Sequence, residues 1–144
     1  MCGRYTLAKP LKTIEKHFTP LIIKCEHSKR YNIAPGQNIP VITLQNNQRE
    51  LRLMRWGLVP SWAKRIKTDK ILINARCETI HEKPSFRDSF QKYRYLVPAD
   101  GFIEWKTEDN KKPHYIFLKT KIFLRSLASG QSEIKGLHQF TPFP

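Results

Sequence analysis

Apolar residues return at helical spacing only in short stretches: Leu11, Ile14 and Phe18 behind Pro10, and Phe86, Phe90 and Tyr93 behind Ser85. Elsewhere they come in brief runs broken by proline, glycine or asparagine, a pattern that long helices cannot follow. The chain is thereby confined to an α+β fold with strands in the majority. Val41 to Leu44 and Leu51 to Trp56 read as strands around the polar turn Gln45-Asn46-Asn47-Gln48. Ile71-Leu72-Ile73 reads as a short buried strand, and Tyr95 to Val97, Phe102 to Trp105 and Tyr115 to Leu118 as further strands. The last two flank Glu108-Asp109-Asn110-Lys111 and suit a hairpin. Tyr31-Asn32-Ile33-Ala34-Pro35-Gly36 reads as a rigid loop, because proline fixes φ and glycine permits unusual dihedrals. Gly57 to Trp62 reads as loop as well. From Lys119 to Pro144 neither alternation nor a helical stripe predicts an element.

At 144 residues, with 40% hydrophobic and 11% aromatic residues, the chain suffices for one domain with a buried core. No apolar run nears the roughly 20 residues of a membrane span, and Met1-Cys2-Gly3-Arg4-Tyr5 lacks the apolar segment of a secretory signal. Three cysteines without a C-x-x-C pair argue against a disulfide framework and for a reducing cytosol, hence a cytoplasmic protein. Cys25, His27, Cys77 and His81 do not follow a usual zinc spacing, so no metal is expected; structural thiols and surface histidines account for them. Twenty-six Lys and Arg against twelve Asp and Glu leave a formal +14. A field of that sign concentrates polyanions, with nucleic acid the first candidate and a merely basic soluble protein the bland alternative.

Four places could carry chemistry. Removal of Met1 would leave Cys2 with a free α-amine, titrating near about 8, and a thiol near about 8.5. Such a 1,2-aminothiol condenses with an aldehyde and closes a thiazolidine, or attacks an amide as N-terminal nucleophiles do; a cysteine beside a start codon is more often inert. Glu104, in Asp100-Gly101-Phe102-Ile103-Glu104-Trp105, is a carboxylate among apolar neighbours and suits general acid/base work, against the plainer reading of a solvent-facing strand residue. Asn74 and Arg76 alternate with Ala75, so an amide and a guanidinium share one face of extended chain and suit an oxygen-rich ligand. Arg52, Arg55, Trp56, Trp62, Lys64, Arg65 and Lys67 interleave cations with aromatics, as single-strand binding does, unless both tryptophans are core.

Five motifs in order, Met1-Cys2-Gly3-Arg4-Tyr5, Tyr31 to Gly36, Trp56-Gly57-Leu58-Val59-Pro60-Ser61-Trp62, Asn74-Ala75-Arg76-Cys77-Glu78-Thr79 and Pro98 to Trp105, closely resemble the SOS response-associated peptidase family across roughly residues 1 to 118. The resemblance implies a curved, barrel-like antiparallel sheet with a few short helices. It implies that Cys2, exposed by autoproteolysis, forms a thiazolidine crosslink with the ring-opened abasic site of single-stranded DNA and shields the lesion. By the same resemblance Asn74 hydrogen-bonds near the deoxyribose and the N-terminus, and Glu104 assists Schiff-base formation and ring opening. Arg4 and Arg76 contact phosphates, and Asn32 with Pro35 lines the bound strand, alongside the stacking candidate Trp62. Neither cofactor nor membrane is implied, and a monomer that joins the nucleoid when bound to DNA is expected.

One departure matters. The family carries a downstream histidine in a segment like His-Asp-Arg-Met-Pro, and this chain has only His138 in Leu137-His138-Gln139-Phe140, which does not match. Residues 119–144 are therefore expected to be a non-homologous tail, from truncation or a frame shift, behind an N-terminal part of the family domain at 1–118. Two competing classes are an N-terminal-nucleophile amidohydrolase, whose domains also begin Met-Cys-Gly, and a single-strand-binding module without chemistry.

Overall fold

The hairpin of β4 (Asn38–Gln45) and β5 (Gln48–Trp56) organises the molecule, paired antiparallel from Asn38↔Arg55 to Gln45↔Gln48. Its turn is Asn46-Asn47, with φ of 47° and 62°, the left-handed pair that a two-residue hairpin turn requires and asparagine tolerates. Both strands run past the expected apolar segments, because ladder hydrogen bonds belong to the backbone and polar Asn38, Gln45 and Gln48 make them equally well. The computed structural model describes residues 3–59, 71–105, 112–117, 124–130 and 137–141, the last two spans by backbone alone.

Around this hairpin stands a six-stranded sheet in the order β10-β9-β6-β4-β5-β2. It takes in β2 (Ile22–Ile23), β6 (Arg94–Ala99), β9 (Leu124–Gly130) and β10 (Leu137–Thr141). A four-stranded sheet, β3-β1-β7-β8, is built from β1 (Arg4–Leu7), β3 (Arg30–Ile33), β7 (Gly101–Trp105) and β8 (Pro113–Phe117). The strand-rich α+β class is as expected, but the barrel-like sheet resolves into two sheets. Beyond its antiparallel partner β9, β10 makes a short parallel contact with β5, Leu137↔Arg55 and His138↔Trp56. Among the described residues no helix is long and apolar enough to cross a membrane.

Helix α1 (Leu11–His17) follows its apolar stripe, with Pro10 as its N-cap and Ile14 and Phe18 buried. The main core draws on both sheets and α1, with Leu7, Ile14, Ile33, Ile39, Val41, Leu51 and Val97 fully enclosed. Each such side chain contributes about 1.5–3 kcal/mol of burial. Trp56 sits at its centre, edge-on to Tyr5 with ring centroids 5.6 Å apart. A second, smaller cluster joins Leu58, Ala75, Ile80 and Phe86.

Several expectations need correction. Tyr31 to Ile33 is strand β3, and only Ala34 onward is loop, because Ile33 fills a core position on extended chain. Ile71-Leu72-Ile73 is half-buried and makes a single bridge, Leu72↔Leu58, with hydrogen bonds of 2.7 and 3.0 Å. The helix expected behind Ser85 is present as α2, Arg87–Lys92, with Phe86 at the N-cap. The stretch after Lys119 holds strands β9 and β10 where none was predicted. The turn expected at Glu108–Lys111 lies outside the described residues.

Candidate nucleic-acid interface

The start of β1 is held between two strands. On one side β1 pairs with β7, Arg4↔Ile103, Tyr5↔Phe102 and Thr6↔Gly101. On the other, the half-buried Arg4 donates from its guanidinium to Asn32 Oδ1 on β3 at 3.1 Å. Two residues separated by 28 positions, both implicated by motif, are thus in direct contact. Glu104 is half-buried on β7 and lies across from His114 of β8. Carrying the β1–β7 register one residue further brings Gly3 level with Glu104. Cys2, the next residue in the chain, lies outside the described residues, as do Trp62 and the basic tract around it.

Pro35 sits in a loop fastened from several directions. Gly36, at φ 83°, donates its N–H to Trp56 O at 2.8 Å, and Trp56 N–H returns to Gln37 O at 2.9 Å. Arg55 Nε donates to Gly36 O at 3.0 Å, and Arg30 donates to Asn38 O at 2.6 Å and to Gln37 Oε1. Arg30 and Arg55 therefore hold the loop that carries Pro35, a role that sequence reading misses. Arg30 has no motif to mark it, and Arg55 reads on sequence as one more cation among aromatics.

Asn74 and Arg76 flank Ala75, which is buried in the smaller cluster while Asn74 is half-buried and Arg76 exposed. Ala75 is thus the anchor that lets its polar neighbours face outward. Next to Arg76, the exposed Glu78 carboxyl is held below its ordinary range, first by its own backbone N–H and then by the Cys77 thiol. Trp56 corrects the stacking expectation: it is core, and β5 offers no exposed ring there. Arg52 is engaged with Glu50 at 2.7 Å. Cys25 packs against the main core, where burial pushes its thiol up, whereas Cys77 is exposed. Among the described residues no three His, Cys, Asp or Glu side chains gather to hold a metal.

Arg4 and Asn32 thus meet on one face of the four-stranded sheet, and Glu104, the residue after Ile103, stands at the same strand end on the other face. The chain belongs to the SOS response associated peptidase (SRAP) family, whose profile matches residues 1–136. It is similar to the abasic site processing protein YoaM of Bacillus subtilis (strain 168), 40% identical over 144 residues covering 99% of this chain and 63% of YoaM. The abasic site processing protein YoqW of the same bacterium is 42% identical over 123 residues, covering 84% of this chain and 55% of YoqW. Among solved structures, a phage-related protein from Bordetella bronchiseptica superposes with a TM-score of 0.72 at 26% identity, covering 96% of this chain and 68% of that one. The chain thus spans 63% and 55% of the lengths of the two Bacillus relatives.

Proposed function

We propose that this chain captures abasic sites in single-stranded DNA through Cys2, acting as a cytoplasmic monomer. Autoproteolysis after Met1 frees the α-amine. The amine adds to the aldehyde of the ring-opened abasic sugar, and loss of water leaves an imine. The Cys2 sulfur then adds to the imine carbon while its proton passes to nitrogen, closing a thiazolidine. Atoms balance with water as the sole by-product.

In this reading Glu104 moves protons during ring opening and imine formation, and Asn74 holds the sugar near the N-terminus. Arg4 and Arg76 meet phosphates, while Asn32, Pro35 and Trp62 border the strand. The observation that carries the reading is the β1–β7 register, whose last pair, Arg4↔Ile103, lies one residue short of Gly3 on β1's side and of Glu104 on β7. The Arg4–Asn32 contact supports it from the other side of β1. So do the names of the relatives.

The test is a denaturing gel after mixing the protein with an oligonucleotide bearing one abasic site. A heat-stable shifted band is expected from the parent. Cys2→Ala should lose the band yet keep non-covalent binding, because ring closure needs the thiol whereas binding rests on cations and rings elsewhere. A Cys2→Ala protein that crosslinks with undiminished yield would sink the thiazolidine chemistry.

A further inference from the structure

The open face of the four-stranded sheet carries a cross-strand row, Arg4, Ile103 and Tyr115, and beside it a second row, Thr6, Gly101 and Phe117. Directly opposed residues share a face, so these side chains stand on one surface. Tyr115 does not stand upright. Its hydroxyl shares a 2.9 Å hydrogen bond with Thr6 Oγ1, two strands away. Its ring covers Gly101 so closely that a Cβ there would meet Tyr115 Cε2 at 2.7 Å and Ile116 O at 2.6 Å. The ring therefore lies back across the sheet, anchored at its tip and backed by a glycine that leaves room for it. Phe117 stacks on it, ring centroids 5.4 Å apart and planes 24° from parallel. Despite this support Tyr115 is 50% exposed, Phe117 56% and Trp105, on the same face, 41%.

We propose that this face is a base-stacking platform for the strand flanking the captured lesion, with Tyr115 as its principal ring. The inference rests on the DNA-capture reading above and adds a subsite to it. A stacked pair of rings, each about half exposed, can receive a nucleobase of any sequence on its exposed surface, since every base has a π-face. Tyr115 is two strand spacings, about 10 Å, from Arg4 in the same row. A strand whose phosphate meets Arg4 can thus lay a neighbouring base on Tyr115. The formal +14 favours a polyanion as occupant and opposes a second copy of the same chain.

The experiment compares two single strands of equal length, oligodeoxythymidine and an all-tetrahydrofuran strand that keeps every phosphate and lacks every base. Binding is read by fluorescence anisotropy, with the fold checked by circular dichroism. Tyr115→Leu should weaken thymidine-strand binding on the order of ten-fold and leave the tetrahydrofuran strand almost unchanged. Tyr115→Phe keeps the ring and should stay near the parent. If Tyr115→Leu fails to fold, Phe117→Leu carries the same comparison with a smaller expected loss. Equal loss on both strands, or no loss on either, overturns the platform. So does self-association of the parent in sedimentation that Tyr115→Leu abolishes, because the face would then join copies. Neither strand offers an aldehyde, so failure of Cys2 capture in the gel experiment registers separately from failure here.

Discussion

Tyr5 shows how one residue ties the candidate interface to stability. It follows Arg4 on β1 and turns the opposite way, into the core against Trp56. Burial pushes its phenol far above the ordinary value of 10.0. Tyr95 on β6 is raised too, to about 12, by burial first and by neighbouring Tyr93 second. The sign follows from where each state holds its proton. Below about pH 10 both folded and unfolded chains keep these protons, and neither tyrosine makes stability depend on pH. Above it the unfolded chain releases them while the folded chain does not, so stability falls from about pH 10 through about 12. Urea midpoints measured from pH 8 to 12 should drop steeply at the alkaline end, and Tyr5→Phe should flatten that drop. An equally steep decline in Tyr5→Phe would remove Tyr5 as its source. At this scale the sequence marks candidate residues by motif and says little of their company. Arg4 and Asn32 are each marked by motifs, but their contact spans 28 positions and depends on how β1 and β3 meet. Trp56 misleads for a related reason: a Trp beside arginines reads as a stacking ring, and only the sheet packing reveals it as core.

Elements whose signals are local are legible, and those defined by distant partners are not. Helix α1 has its apolar stripe, β4 and β5 have an Asn-Asn turn between them, and β7 and β8 are flanking runs around a polar segment. Strand β3 is hidden by Pro35 and Gly36, which dominate the local pattern although they lie just past its end. Strand β9 is defined by its pairing with β6, from Arg94↔Ser129 to Ala99↔Leu124, a partner that no local periodicity announces. The β4–β5 turn permits a direct check of the local rule. Asn47, at φ 62°, tolerates the left-handed conformation, and glycine tolerates it better. Asn47→Gly should stabilise by a few tenths of a kcal/mol and Asn47→Ala should cost about 1 kcal/mol. Denaturant midpoints should shift in those opposite directions with the slope unchanged. A neutral Asn47→Ala would mean that the hairpin does not depend on its turn.

For the molecule as a whole, the question is what the residues after Lys119 contribute. We propose that the capture site belongs to residues 1–118 and that the remainder serves the six-stranded sheet. Strand β9 covers one edge of β6 along its length, and β10 in turn pairs with β9 and touches the end of β5 at Trp56. Removing residues 119–144 would strip β6 of that partner, leaving a row of unpaired N–H and C=O groups on an apolar strand, a template for aggregation. The four-stranded sheet, with Arg4, Asn32 and Glu104, loses none of its strands by the same cut. A chain ending at Leu118 should therefore melt at lower temperature and aggregate more readily. Well below its melting temperature it should still form the Cys2 crosslink, because the aminothiol supplies the intrinsic reactivity and its neighbours on β1, β3 and β7 remain. Thermal melts and crosslinking time courses of parent and shortened chain separate the two effects. A shortened chain that stays folded and no longer captures abasic sites would place part of the site beyond residue 118.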